Sequence, residues 1–599
     1  MSVEKLITDH IDIWSSALQT RSTAGRGSNG KIDLYGIKKL RELILELAVR
    51  GKLVAQDPND EPASELLKRI AAEKAELVKQ GKIKKQKPLP EISEDEKPFE
   101  LPEGWEWTRL SDVSEYIQRG KGPKYAEHGS VKVVSQKCVQ WSGFKLEQSR
   151  WITDESVHSY TEERFLKDGD VLWNSTGAGG TAGRVICLPM VNGKLVIDSH
   201  VTLIRTVRDN GQFISNYIST YGIQQRFDPK HPNTLLSGTT NQAELNSSVV
   251  TSFLVPFPPQ NEQERINDKA AELMTLCDQL EQHSLTNLDA HQQLVETLLA
   301  TLTDSQNAEE LAENWARISQ HFDTLFTTEA SIDALKQTIL QLAVMGKLVP
   351  QDPNDEPASE LLKRIEQEKA QLVKEGKIKK QKPLPPVEFE EHPFSLPDSW
   401  EYVRLNDIAS LIGGFAYKSS SFIKDGKYQV LRMGNIRPDK IRMDENPVFI
   451  SGSVANDTSD YKLVSKDIVL TMTGTKGKRD YLYSAIIPDG LSRTFYLNQR
   501  ICKVNVIVAN AEFVNILMKS NSLLDVIYKQ STGTANQANI SMQSLSAWVV
   551  PLPPLKEQNL IVKFSTELLL LCDQLKSRLQ SAQQTQLHLA DALTDAALN

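Results

Sequence analysis

Residues 51–90 read GKLVAQDPNDEPASELLKRIAAEKAELVKQGKIKKQKPLP, and residues 346–385 read GKLVPQDPNDEPASELLKRIEQEKAQLVKEGKIKKQKPLP. The stretches match at 35 of 40 positions without a gap, 295 residues apart. The same offset pairs Phe99 with Phe394, Leu101 with Leu396 and Trp105 with Trp400. It returns far downstream, where Gly238-Thr-Thr-Asn-Gln-Ala faces Gly533-Thr-Ala-Asn-Gln-Ala and Leu276-Cys-Asp-Gln-Leu faces Leu571-Cys-Asp-Gln-Leu. A period of this length is far too long for a solenoid; it marks a duplicated unit of many elements and predicts a pseudo-two-fold internal repeat. The likeness is uneven. The flanks are nearly identical, while the interiors, about 118–235 and 413–530, have diverged almost completely. Flanks held alike serve a common task, and interiors set free recognise two different things.

The flanks read as helix. Ile37, Leu40, Ile44 and Leu47 recur at helical spacing, as do Ile332, Leu335, Ile339 and Leu342, with Gly51 and Gly346 as stops. Ala63–Lys79 is a run of strong helix formers, followed by a basic linker with Lys82, Lys84, Lys85 and Lys87 that ends at Pro90. After Pro259 a long helix is expected, with Ile266, Ala270, Leu273, Cys277 and Leu280 on one stripe, then a polar gap, then Leu294, Leu298 and Leu302. The second copy continues Ile561, Leu568, Cys572, Leu575 and Leu579. Forty such residues span about 60 Å and predict a coiled-coil spacer between the units. The interiors hold short β-type runs, Val131–Val134, Asp170–Trp173, Val201–Ile204, Val430–Met433 and Ile468–Met472. The expected class is therefore α+β, with two globular domains joined by long helices. The boundaries fall at 1–100 (helical region and linker), 101–259 (first domain), 260–395 (central helices and linker), 396–554 (second domain) and 555–599 (C-terminal helix).

The chain has 599 residues and a net charge of −8, but the acidity is not evenly spread. Residues 101–260 hold 16 basic and 16 acidic side chains, and 396–555 hold 18 and 14, so these segments are 0 and +4 and the remainder carries −12. A neutral or mildly basic reader on an acidic scaffold is compatible with DNA, though by charge alone it binds phosphate weakly and needs a basic partner. Five scattered cysteines offer no zinc spacing and fit a reducing cytoplasm. Met1–Gln19 has no signal-peptide core, and no apolar run approaches a membrane span.

Several motifs tempt and fail. Gly25-Arg-Gly-Ser-Asn-Gly-Lys31 has phosphate-loop spacing, but Ile32 stands where Ser or Thr should hold magnesium. Gly177-Ala-Gly-Gly-Thr-Ala-Gly183 misses the dinucleotide spacing and reads as a mobile loop; its counterpart Thr473-Gly-Thr-Lys-Gly-Lys-Arg479 is basic and suits phosphate contact. The Glu366-Gln-Glu-Lys369 fragment lies on a charged helix face, and the Pro256-Phe-Pro-Pro259 and Pro551-Leu-Pro-Pro554 runs lack the leading Asn or Asp of an amino-methyltransferase site. Ten histidines form no ligand pair. No convergent catalytic set emerges.

The arrangement resembles the specificity subunits of type I restriction-modification enzymes. The residues that carry this are Pro256-Phe-Pro-Pro-Gln-Asn-Glu-Gln263 and Pro551-Leu-Pro-Pro-Leu-Lys-Glu-Gln558. With them go Gly238-Thr239 to Leu245, Gly533-Thr534 to Ile540, the Leu101–Trp105 and Leu396–Trp400 domain starts, and the Ala-Val-x-Gly-Lys-Leu-Val helices at 48 and 343. The helical block before the first domain is similar to the type IB branch. The resemblance implies a non-catalytic subunit in which each interior is a target-recognition domain for one half of a bipartite DNA site. The helices would form an antiparallel coiled coil that sets the gap. Two modification subunits using S-adenosylmethionine and two restriction subunits using ATP and magnesium would dock on it, and no cofactor or metal is expected in this chain. Arg or Lys toward guanine, Asn or Gln toward adenine and apolar contact to thymine are the side chains base reading requires. Candidates in the first domain are Lys121, Lys124, Gln136, Lys137, Trp141, Asn174, Arg184, Asn241 and Gln242. In the second they are Tyr417, Lys418, Arg432, Asn435, Arg437, Lys476, Lys478, Arg479, Asn536 and Gln537. The Asn-Gln pairs recur in both copies and so suit structure or phosphate better than sequence. The competing classes are a single-chain methyltransferase or nuclease fused to its own reader, and a duplicated coiled-coil adaptor with no DNA role.

Overall fold

The computed structural model describes residues 3–21, 31–177, 180–208, 210–238, 243–438, 440–534 and 536–598. The chain forms two compact units, one built on Leu34–Ser284 with Met1–Gln19 and Thr585–Asn599, the other on Leu285–Gln584. The helix Gln260–Asp304 begins in the first unit and ends in the second, and the helix Leu555–Leu598 begins in the second and ends in the first. Their 45 and 44 residues extend about 65 Å each.

Each unit opens on a helix, Tyr35–Val49 or Glu329–Val344, whose buried stripe is the one the periodicity marks: Ile37, Leu40, Ile44 and Leu47, or Ile332, Leu335, Ile339 and Leu342. Each packs along its long helix with a matching ion pair. Arg41 reaches Asp278 at 2.7 Å and Glu281 at 2.8 Å, and Lys336 reaches Asp573 at 2.8 Å. Each then stops at a glycine with positive φ, +64° at Gly51 and +71° at Gly346. A Cβ there would meet the ring of Pro102 at 2.5 Å or of Pro397 at 2.6 Å, so the glycine both ends the helix and seats the domain start. The helices Ala63–Lys79 and Ala358–Lys374 follow.

The long helices depart from the expected stripe at one place. Ile266, Ala270, Leu273 and Cys277 are buried, but beyond the polar gap the buried positions are Val295, Leu299 and Leu302, and Leu294 is half exposed. The face is set by what covers it: Phe326, Ile332, Leu335 and Cys572 complete that core, and a helix Ala308–Gln320 adds Ile318. Burial pushes the Cys277 thiol up to about 11 and Cys502 to about 12, so both are packing groups at neutral pH.

The two domain interiors have diverged almost completely in sequence yet share a topology. The first has a four-stranded antiparallel sheet in the order Val185–Cys187, Val171–Asn174, Val201–Thr206, Ser114–Arg119. The second repeats it as Ser484–Ile486, Ile468–Thr471, Ile501–Val506, Ala409–Gly413. Beside each lies a second sheet around one parallel pair, Lys132–Val134 with Leu195–Ile197, or Tyr428–Leu431 with Thr494–Leu497. The short β-type runs were legible; their order was not, because it is set by pairing between residues far apart.

The motif residues prove to be a clamp. Trp105 Nε1 donates to Glu262 Oε2 at 2.9 Å, and Trp400 Nε1 to Glu557 Oε2 at 2.9 Å. Gln263 Nε2 donates to the Pro258 carbonyl at 2.8 Å, and Gln558 Nε2 to that of Pro553 at 2.8 Å. Arg109 binds Glu96 and the carbonyls of Pro90 and Ser252, and Arg404 binds Glu391 and those of Pro385 and Ala547. The strand after the tryptophan pairs with the proline-bearing strand, Glu106–Arg109 with Leu254–Phe257 and Glu401–Arg404 with Val549–Leu552. Each domain is thereby closed at its two chain ends by identical hardware.

Burial raises the Glu262 and Glu557 carboxyls above the usual carboxylate range, against the opposing effect of the tryptophan N–H. A raised carboxyl means that the folded state holds the proton more tightly than the unfolded one. This contribution to stability is complete below the unfolded value of about 4.3 and falls as pH rises through the raised folded-state value. Glu262→Gln keeps an oxygen for Trp105 and removes the buried charge. It is expected to unfold within about 1 kcal/mol of wild type at pH 7 and to flatten the decline above pH 4.5, as read by denaturant unfolding across pH. A large loss at pH 7 would mean that the ionised carboxylate itself is required.

Candidate nucleic-acid interface

Each domain presents two projections from its sheets. One is a short hairpin: Val139–Gln140 with Gly143–Phe144 in the first domain, Ile436–Arg437 with Lys440–Ile441 in the second. The other is the region after the central strand. In the second domain Thr473–Gly474 pairs with Gln537–Asn539, which pairs with Thr532–Thr534. That small sheet brings the exposed Lys476, Lys478 and Arg479 together with the exposed Asn536 and Gln537, far apart in sequence. Arg479 also pairs with Asp525 at 2.6 Å and lies over the Tyr528 ring at 4.9 Å, beside a pocket of 380 Å³ lined by Lys476 and Lys529. In the first domain the matching bridge is Thr176 to Glu244, with Glu244 held by Arg119 at 3.0 Å. Asn241 and Gln242 lie outside the described residues, as do residues 25–30 of the phosphate-loop lookalike.

The remaining candidates divide by burial. Lys121 and Lys124 are exposed, the first donating to the Ser159 carbonyl at 2.9 Å and the second paired with Glu155 at 3.1 Å. Lys137 and Lys418 are exposed, and Arg432 is half-buried and donates to the Asn446 carbonyl at 2.6 Å. Three candidates are internal. Asn174 is 0% exposed and its Nδ2 serves the carbonyls of Gln136, Val139 and Thr181. Asn435 is 3% exposed and its Nδ2 serves those of Arg442 and Glu445 at 3.0 and 2.8 Å. Tyr417 is 8% exposed and donates to Thr458 Oγ1 at 3.1 Å. The donors of all three are spent inside the fold, so these side chains shape loops and are buried away from any base edge. Arg184 is half-buried and donates to Gln140 Oε1 and to the Gly180 carbonyl, bracing the hairpin, and Gln136 lies half-buried against Gly177.

Trp141 stands apart. It sits in the two-residue turn of the first hairpin and is 54% exposed. The exposed half of the indole offers apolar area and an N–H donor at the hairpin tip. Lys440, absent from the candidates, is exposed on the matching hairpin; the signal available was the flanking of Pro438-Asp439 by Arg437 and Lys440. Among the described residues no group of His, Cys, Asp and Glu could hold a metal ion, and no helix is long and apolar enough to cross a membrane.

The sequence profile described as "Type I restriction modification DNA specificity domain" matches residues 102–290 and 397–582, once per repeat. The chain is 51% identical over 612 aligned residues to the type I restriction enzyme EcoEI specificity subunit of Escherichia coli, covering 100% of both. It is 50% identical over 606 residues to the EcoAI specificity subunit of the same species, again covering 100% of both. A solved chain from work on complex assembly and conformational transition of the type I R-M system superimposes with a TM-score of 0.51 at 15% identity, over 84% of this chain and 99% of that one. That likeness speaks for the fold, and the sequence matches span both repeats and the helices between them. The chain belongs to the family of type I restriction-modification DNA specificity subunits.

Proposed function

We propose that this non-catalytic specificity subunit reads a bipartite DNA target, one half-site per recognition domain. Two modification subunits and two restriction subunits would assemble on its helical regions. The observation that carries this reading is the pairing of identical frames with unlike surfaces: Trp105–Glu262 and Trp400–Glu557 repeat at the same 2.9 Å, while the hairpin tips and the segments after the central strands differ. S-adenosylmethionine, ATP and magnesium would belong to the partner subunits. The opposite chain directions in which Gln260–Asp304 and Leu555–Leu598 pass between units are those an antiparallel spacer requires. Readers gripping one duplex face need half-site centres about 34 Å apart, or a simple variant of that. The proposed DNA contacts are the exposed Lys137, Trp141, Lys418, Lys476, Lys478, Arg479, Asn536 and Gln537, with Arg437 and Lys440.

The purified chain, given labelled S-adenosylmethionine and DNA, is expected to transfer no methyl group, and to support transfer at one bipartite sequence once its modification partner is added. Turnover by the chain alone would restore the single-chain enzyme. A partnered complex that methylates without sequence preference would remove the reader.

A further inference from the structure

The two recognition domains carry the same hairpin at the same topological place. In each, a strand of the parallel pair, Lys132–Val134 or Tyr428–Leu431, runs through a tight turn into the hairpin. The first hairpin packs on Val171–Asn174 and Val185–Cys187, and the second on Ile468–Thr471 and Ser484–Ile486, which are equivalent strands of the four-stranded sheets. A buried asparagine braces each from a different place: Asn174, at the end of a sheet strand, binds the Gln136 and Val139 carbonyls at the start of the first hairpin, and Asn435, in the turn that leads into the second, binds those of Arg442 and Glu445 just after it. The frames correspond, and the tips do not. The first tip is Trp141-Ser142, uncharged, with the indole half in solvent. Arg184, the nearest guanidinium, is spent on Gln140 and Gly180. In the second hairpin Arg437 and the exposed Lys440 flank the turn that begins at Pro438.

We infer that these matched tips hold the two half-sites by different forces: Trp141 by apolar contact with base edges such as the thymine methyl, Arg437 and Lys440 by charge. The inference rests on the reading of each domain as a half-site reader. An indole offers area and one N–H donor, so its contact releases no counterions from DNA. Basic side chains at phosphates do, at a slope of about −0.9 in log affinity against log salt for each phosphate neutralised. Apolar contact with a base edge neutralises no phosphate, so it adds nothing to the salt slope, and it is lost when the ring is removed. The two halves of one address would then respond differently to ionic strength.

The test uses the full chain with its modification partners and the duplex whose sequence is recovered as methylated in cells carrying the complex, with either half-site scrambled in turn. Trp141→Ala is expected to reduce preference for the intact first half-site about tenfold or more with an unchanged salt slope, and Trp141→Phe to recover most of it. Arg437→Ala with Lys440→Ala is expected to weaken binding at the second half-site and to make the slope shallower by about 1 to 2. An unchanged first-half preference in Trp141→Ala, a slope shift in that variant, or an unaltered slope in the double variant would overturn the inference. If wild type itself fails to distinguish intact from scrambled halves, the half-site reading falls with it. If wild type discriminates and Trp141→Ala does so equally well, only the assignment of the tips falls.

Discussion

Replacing residues 101–259 by the same segment of a relative is expected to change one half of the methylated sequence completely and leave the other half untouched. The reason lies in how the domain is attached. Within this chain the same frame already carries two interiors whose sequences have diverged almost completely. Trp105 with Glu262, Arg109 with Glu96 and the Glu106–Arg109 strand with Leu254–Phe257 have counterparts 295 residues on, in Trp400, Arg404 and Glu401–Arg404. A frame that accepts two interiors will accept a third that ends in the same residues. The change should be large, because each wrong base pair costs roughly 1–3 kcal/mol and such costs add roughly over separate positions. Methylome sequencing of cells carrying the exchanged chain with its modification partner reads the outcome directly. An unchanged pair of half-sites would remove residues 101–259 from recognition; a change in both would mean that the domains read jointly.

How much of this was legible depends on the range of the interaction. Local signals were reliable. The helix read from Ala63 to Lys79 spans those residues, and Gly51 and Gly346 do stop their helices. The stripe of the long helix failed at Leu294, because the buried face there is chosen by Phe326, Ile332 and Leu335 and not by the helix's own period. The motif Pro-x-Pro-Pro-x-x-Glu-Gln identified the family, but its job was invisible in sequence, since Glu262 finds its partner 157 residues away at Trp105. The site was half legible. Residue type pointed to Asn174, Asn435 and Tyr417, but type does not report burial, and all three are spent inside the fold. Trp141 and Arg437 emerged as individuals, whereas their equivalence required the strand order of the two sheets, which no local pattern encodes.

The substitution expected to cost most stability is Arg205→Ala, which also follows from a long-range contact. Arg205 and Asp170 form a buried fork, Nε to Oδ1 at 2.7 Å and Nη2 to Oδ2 at 2.7 Å, and the same guanidinium donates to the carbonyls of Glu163 and Phe165. The pair fixes the loop before Val171–Asn174 to the neighbouring strand Val201–Thr206. Breaking a buried pair strands the remaining charge, at a cost of about 3–5 kcal/mol. Burial already raises the Asp170 carboxyl, and Arg205 opposes it most. Without Arg205 that carboxyl moves higher still, so the folded variant holds its proton more tightly than the unfolded chain and loses stability as pH rises; its deficit should be greater at pH 8 than at pH 5. The second domain offers an internal control. Asp467 meets Lys503 only at 3.8 Å and keeps hydrogen bonds from Asn505 at 3.0 Å and the Val464 N–H at 2.8 Å, so Lys503→Ala should cost much less. Denaturant unfolding read by hydrogen exchange in each domain separates the two effects. Arg205→Ala should open the first domain and spare the second, with loss of the first half-site alone. A deficit under about 1 kcal/mol, or one that shrinks as pH rises, would show that the fork is not what secures the central strands.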